Sequence, residues 1–348
     1  CNPMAAARVV AVLAACIVAV SGDISVSVVC SGARSCEARD GWSQGGAAAW
    51  GSFNDTLLTN GWTTLTVFAN ESATSELQAY AAGYLEAYVT AERIWQHYSN
   101  LVGDLFASTN GTVPDAIRTF IETNDAWVLE HAAVSSSDPS WSAVGFAYEQ
   151  VAGLVDGYSA SSFAKQGGSS HALDRFAFLL INMQGDVGDL QTKFSARGGL
   201  RAPSGAEPSW LPATWEEALR TETFRTHCSS MVRLTEGYAD LMAAHNMWWS
   251  YYAMVRVAKT YSFPGRATVS FSSYPATLTS TDDYYVTSHG LVVMETTLVV
   301  WNDTLYDRVH PTDALFTWVR AYMANMLATS GRAWVDLFGR LNSGTYNN

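Results

Sequence analysis

The chain has 348 residues, of which 48% are hydrophobic and 12% aromatic, and its net charge is -12. The length suits two ordinary domains or one large one, and 13 tryptophans argue for a substantial packed core. Few lysines and no basic run exclude a cationic face for phosphate backbones, so nucleic acid is not an expected partner.

Cys1-Asn2-Pro3 precede Met4, the expected start. Arg8 leads an apolar run, Val9 to Val20, short for a membrane span and laid out like a secretory signal peptide, with Ser21-Gly22 supplying small residues for cleavage. An N-terminal membrane anchor is the alternative. Removal of residues 1–22 would leave a luminal or secreted chain with no integral membrane span. An acidic, lysine-poor surface suits an acidic lumen, where partial protonation of carboxylates relieves self-repulsion. Cys30 and Cys36 are close enough to close a small loop in an oxidising lumen, and Cys228 is left without an obvious partner. Asn54, Asn70, Asn110 and Asn302 each open an Asn-x-Ser/Thr triplet, which behind a signal peptide reads as a glycosylation site on an exposed loop.

A strand is predicted over Gly61 to Ala69 from its threonines and β-formers. A helix follows, with Ser75 and Gln78 as a capping box and Leu77, Tyr80, Tyr84, Tyr88 and Trp95 at helical spacing. That aromatic stripe is expected to be core. Further helices are predicted over about Asp115 to Ala133 and Trp141 to Tyr158. The apolar stretch 171–192 reads as a helix or a strand pair ending in a solvated loop that carries Asp186 and Asp189. Residues 191–227 are poor in periodicity and hold Pro203, Pro208 and Pro212, so they read as a linker running up to Cys228.

Cys228 to Leu234 and Ala239 to Trp248 read as a hairpin about Glu236-Gly237. Counting outward, Leu234 faces Ala239 and Cys228 faces His245, which puts thiol and imidazole about 4.5–5.5 Å apart between Cβ atoms. Cys228 is then either a buried inert thiol, the commoner fate of a lone cysteine, or a nucleophile with a base beside it. Beyond it an aromatic helix is predicted over Trp248 to Tyr261, a strand over Ala267 to Tyr274, a hairpin about His289-Gly290, and a last helix from about Asp313 to Leu341. The closing 342–348 reads as a turn with no element after it, as in a truncated chain. The element order suggests helices layered on antiparallel sheets, an α+β fold. There is no phosphate loop, paired metal-cysteine motif or His-Glu-x-x-His, so no cofactor or metal is expected.

Several long, ordered stretches are similar to the phospholipase B-like family, which includes the lamina ancestor proteins. They are Asp40-Gly41-Trp42 with Ser52-Phe53-Asn54-Asp55-Thr56, Leu77 to Gly83, Cys228-Ser229-Ser230, Ala244-His245-Asn246-Met247-Trp248, Ser273-Tyr274-Pro275, Asp282-Asp283 with Glu295-Thr296-Thr297, and Asn342 to Asn348. The resemblance covers nearly the whole mature chain. It implies an αββα N-terminal nucleophile hydrolase, two stacked antiparallel sheets between helix layers, truncated here at its C-terminal side. It also implies self-cleavage between His227 and Cys228, separating an amino-terminal fragment, 23–227, from a catalytic fragment that begins at 228. Cys228 would carry both the attacking thiol and a new α-amine. His245 would orient the thiol, Asn246 would contact the oxyanion, Glu295 would position the amine, and Trp248 would line the pocket. For each of these the alternative is a structural residue. The implied function is an acyl hydrolase of the lysosomal lumen or of secretions, acting on phospholipids or on related esters or amides. A luminal glycoprotein that cuts itself and mainly binds lipid is the alternative. A papain-like protease fits poorly, because Cys-Gly-Ser-Cys-Trp is missing and His245 lies too close in sequence to Cys228.

Overall fold

The computed structural model describes residues 23–43, 45–195, 228–298, 300 and 302–346. The expected leader, 1–22, and residues 196–227 of the expected linker, His227 included, lie outside the described residues. Among the described residues, ten strands and several helices make a mixed α+β architecture. Eight strands form one sheet: β1 (Asp23–Gly32), β2 (Ser35–Asp40), β3 (Ala49–Thr56), β4 (Trp62–Ala69), β7 (Val257–Ser262), β8 (Val269–Ser273), β9 (Tyr284–Thr287) and β10 (Val292–Met294), in the order β10-β9-β8-β7-β4-β3-β1-β2. Every neighbouring pair is antiparallel except β4 and β7, which run parallel from Thr63↔Val257 to Phe68↔Ser262. The expectation of antiparallel pairing throughout is corrected at that one junction. Cys30 and Cys36 oppose each other across β1 and β2 and are joined by a disulfide.

Burial alternates along β3, β4, β7 and β8, so the sheet has one buried face and one half-exposed face rich in serine and threonine. The buried face is covered by α1 (Ser75–Leu105), a helix of 31 residues and about 46 Å. Its cap is Thr74, whose side chain accepts from the Leu77 backbone N–H. The Gln78 amide donates instead to the Asn70 and Ala73 carbonyls, so the predicted capping box is not formed. A second helix layer packs on α1, made of α2 (Asp115–Val134), α3 (Pro139–Ala160), α4 (Arg175–Asn182) and α5 (Gln184–Ser195). Asp138 caps α3 and Pro139 opens it, a pairing suited to a helix start.

α1 and α3 approach backbone to backbone. A Cβ on Gly153 would stand 1.9 Å from the Tyr80 carbonyl oxygen, and one on Gly83 would stand 2.0 Å from that of Gln150. Only glycine fits at this crossing. Gly153→Ala is therefore expected to lower unfolding stability by about 1–3 kcal/mol or more, read from denaturant melts. Alanine is the better helix former, so an unchanged or raised midpoint would show that the helices can move apart freely.

Other elements depart from their sequence expectations. The stretch 171–192 contains the two helices α4 and α5, and α5 takes in residues 191–195 of the supposed linker. Trp248 to Tyr261 is not a helix: a 3₁₀ turn over Tyr251–Met254 leads into β7, whose alternating burial is that of a strand. The last helix is two, α6 (Thr317–Leu327) and α7 (Gly331–Phe338), with a break at Ala328–Ser330 where Ser330 caps α7.

Candidate functional site

β5 (Cys228–Leu234) and β6 (Leu241–Met247) form a separate two-stranded sheet. Thr235 and Asp240 close the loop. The Thr235 N–H donates to the Asp240 carbonyl at 2.9 Å, and the Asp240 N–H donates to the Thr235 hydroxyl at 2.8 Å. Within the loop Gly237 and Tyr238 both take positive φ, 68° and 57°. The turn thus spans 236–239 rather than two residues, and the register moves by two. Cys228 pairs with Met247 and His245 pairs with Ser230, which corrects the predicted Cys228–His245 pairing. A shift of two keeps each side chain on its face, so Cys228, Ser230, His245 and Met247 still share one. The Cys228 Sγ lies 3.7 Å from the Met247 Sδ.

His245 reaches away from the hairpin. Its Nε2 stands 2.8 Å from the Glu295 carbonyl oxygen. A carbonyl only accepts, so Nε2 carries the hydrogen and Nδ1 is the basic atom of the neutral ring. The Glu295 backbone N–H donates in turn to the Asp283 carbonyl at 3.3 Å. Burial pushes the Cys228 thiol up, the backbone hydrogen bond at Trp248 pulls it down, and the carboxylates of Glu295 and Asp282 raise it further. The group is therefore held as a thiol.

The side of the site away from the hairpin is acidic and buried. Asp282 pairs with Arg256 and accepts from the Tyr274 hydroxyl. Asp283 accepts from the Tyr346 hydroxyl, and its carboxyl group hydrogen-bonds that of Glu295. The Tyr346 backbone N–H donates to Asp189 at 2.8 Å, and Thr345 donates to Asp186 at 2.6 Å. Asp283, Glu295 and Asp186 line a cleft whose apolar wall is Trp318, Trp334 and Phe338. The predicted solvated loop at Asp186 and Asp189 is corrected by α5, where Asp186 is 1% exposed. The 342–346 turn binds both aspartates, and Asp189 is half-buried.

Asp186 carries a pH consequence. Burial raises its pKa to about 6, against the pull of the Thr345 hydroxyl and Arg320. The folded state then binds the proton more tightly than the unfolded state does. The associated stability is present below about pH 4 and lost as pH rises through about 6. The loss amounts to about 2–3 kcal/mol. Asp186→Asn is expected to flatten the fall in melting temperature between pH 4 and pH 7. A variant with the wild-type slope would remove Asp186 as its source.

The structure brings Cys228, His245 and Glu295 into one neighbourhood. It does not bring the side chains of Asn246 and Trp248 there: Asn246 lies on the opposite face of β6 and is exposed, and Trp248 is 53% exposed. Trp248 reaches the thiol through its backbone. Of the four Asn-x-Ser/Thr sites, Asn110 and Asn302 are exposed outside strands, whereas Asn54 is half-buried within β3. Asn70 follows β4 with its amide donating to the Ala47 carbonyl at 2.8 Å. Sequence reasoning missed Asp283 and Tyr346 as members of the site. The only signal for them was that both lie in stretches carrying the family resemblance. Among the described residues no helix is long and apolar enough to cross a membrane.

Residues 49–348 match the family model described as Phospholipase B. Phospholipase B-like protein B of Dictyostelium discoideum is 36% identical over 307 residues, covering 86% of this chain and 51% of that protein. Phospholipase B-like 1 of Homo sapiens is 31% identical over 311 residues, covering 86% and 52%. Phospholipase B of Crotalus adamanteus is 32% identical over 324 residues, covering 86% and 53%. The chain thus spans about half the length of the curated relatives it matches.

Proposed function

Since the chain belongs to the phospholipase B-like family, we propose that it is a hydrolase that cuts itself ahead of Cys228 and then works through that residue on acyl bonds of phospholipids or related lipids. The observation that carries this reading is the setting of Cys228. It is the free cysteine among the described residues, half-buried, first in its strand, with His245 on the same face and Glu295 within electrostatic reach.

In the cut, the Cys228 sulfur adds to the His227 carbonyl carbon and its proton goes to the departing Cys228 nitrogen. Water then hydrolyses the thioester, which leaves a carboxylate on His227 and a free amine and thiol on Cys228. The new amine titrates near pH 8, so in its neutral form it can take the thiol proton during turnover. The thiol attacks the substrate acyl carbon, the alcohol or amine departs, and water releases the acid. His245 holds the thiol in line, Glu295 holds the amine, and Asn246 and Trp248 serve the oxyanion and the pocket if the strand ends reorient after the cut. The sheet with helices on one face is one half of the αββα sandwich this chemistry uses. The pieces are 23–227, with a linker up to the cut, and the catalytic piece from 228. We place the protein in a lysosomal or secreted lumen, glycosylated at Asn54, Asn70, Asn110 and Asn302.

A second reading draws on one observation: burial and two carboxylates hold the thiol up rather than down. It makes the protein a luminal glycoprotein that cuts itself and mainly binds lipid. The full-length protein incubated at acidic pH with a panel of phospholipids, lysophospholipids and acyl amides separates the two. Release of free acid supports the hydrolase. Lipid binding with no acid released from any panel member supports the second reading.

A further inference from the structure

Asp283 sits at the turn into β9 with φ 54° and its side chain buried. Its carboxyl group faces three partners. The Tyr346 hydroxyl donates to Oδ2, the Glu295 carboxyl group is hydrogen-bonded to it, and Cys228 lies within electrostatic reach. An ionised carboxylate only accepts, so two carboxyl groups can be hydrogen-bonded to each other only with a proton between them. Asp283 is buried and Glu295 only half-buried, so the proton of the pair rests on Asp283 and is donated toward Glu295. Glu295 is in turn the residue whose backbone carbonyl accepts from His245, and its Oε1 receives the Thr297 hydroxyl at 3.3 Å.

We propose that Asp283 is a positioning residue: a carboxylic acid, not a carboxylate, that donates to Glu295 and so fixes the carbonyl from which His245 hangs. This rests on the reading of Cys228 as nucleophile and His245 as its orienting base. Burial and the facing Glu295 carboxylate keep the proton on Asp283 well above the ordinary carboxylate range. The surroundings offer little relief once that proton leaves. Asp282 adjoins on the same loop with Arg256 bound to it, Cys228 faces from β5 and Tyr346 from the closing turn, and Tyr285 on β9 and Asp186 on α5 share the cleft. Deprotonation would set a buried carboxylate on Asp283 against the half-buried one on Glu295, push the 295–297 segment away, and release His245. The site is therefore assembled on the acid side and comes apart as pH rises, a coupling that suits an acidic lumen.

Asp283→Asn decides the matter, because the asparagine amide donates to Glu295 at every pH and is close in shape. In full-length protein, two readouts are taken between pH 4.5 and 8.5. One is formation of the Cys228 amino terminus, and the other is the tautomer of His245 followed by ¹⁵N NMR of its ring. In wild type both should fail on the alkaline limb, cleavage by about tenfold per pH unit. In Asp283→Asn the alkaline limb should be extended by at least a unit, with the Nε2–H tautomer kept throughout. Asp283→Ala, which cannot donate, should lose the tautomer at all pH values. An Asn variant whose pH profile and His245 signals follow wild type overturns the proposal. If wild type never forms the new terminus yet His245 behaves as described, the assigned function fails and the Asp283–Glu295–His245 linkage stands.

Discussion

Cys228→Ala is expected to yield a full-length protein that is never cut ahead of residue 228 and that releases no acid from any lipid. The expected loss in both is at least about a thousandfold, the scale seen when a nucleophile is removed and only binding and electrostatic stabilisation remain. The fold should tolerate the change. Cys228 is half-buried, its side chain meets the Met247 sulfur and the Trp248 backbone, and β5 around it is mostly exposed, so the stability cost is about 1 kcal/mol. Cys228→Ser is the finer test. A hydroxyl is a far weaker nucleophile than a thiol at the same position, so cutting should be slowed strongly without a change in the bond attacked. Intact-mass spectrometry reads both variants. A fragment starting at residue 228 from the alanine protein would mean that another protease makes the cut.

The second large effect is expected far from the thiol. Lys259 on β7 and Glu86 on α1 are both fully buried and meet at 2.6 Å. Lys259 also donates to the Thr277 carbonyl at 2.7 Å, while Glu86 accepts from the Ala276 N–H at 3.0 Å and from the Tyr261 hydroxyl. The cluster pins the long helix to the middle of the sheet and to the loop after β8. Burial pulls the lysine pKa down and Glu86 holds it up, so the charge survives because the pair is intact. Lys259→Met strands the glutamate among tyrosines. The expected cost is about 3–5 kcal/mol in denaturant unfolding, the range for breaking a buried pair from one side. Adding Glu86→Gln should recover a large part of it, because the stranded charge is gone. Additive single-variant losses would mean that the two groups are not coupled.

Much of the fold was legible in local pattern. The alternation in 61–69 and 284–298 gave strands, and the stripe from Leu77 to Trp95 gave the long helix in nearly its true place. The central hairpin was legible as two strands but not in register. Its strands are exposed on both faces, with Met231, Val232, Leu234, Leu241 and Met242 all more than half exposed. Without a buried face, apolar pattern does not fix register and the loop decides it. Here Tyr238 takes a positive φ that Glu-Gly alone does not announce. The aromatic run 248–261 misled because its rings are shared between a 3₁₀ turn and a strand, so the residue spacing imitated a helix. The parallel pairing of β4 with β7 could not be read at all. The two strands lie far apart in sequence, and their union depends on everything folded between them. Asp186 and Asp189 looked solvated because acidic residues near glycines usually are; contacts from the distant 342–346 turn, Thr317 and Tyr306 bury Asp186 and half-bury Asp189. Cys228, His245 and Glu295 owed their selection to family likeness, and their spacing alone did not distinguish them from structural residues.

The parallel junction bears on what a severed chain would be. β4 belongs to the portion before residue 228 and β7 to the portion after it, and the two are hydrogen-bonded side by side in the middle of the sheet. A nick ahead of Cys228 would therefore break covalent continuity without parting the body. Each portion would be the other's missing neighbour, clasped along six rungs of backbone and beneath the same long helix. Scission would act here as a chemical release of one amine, and the two polypeptides would go on behaving as a single molecule.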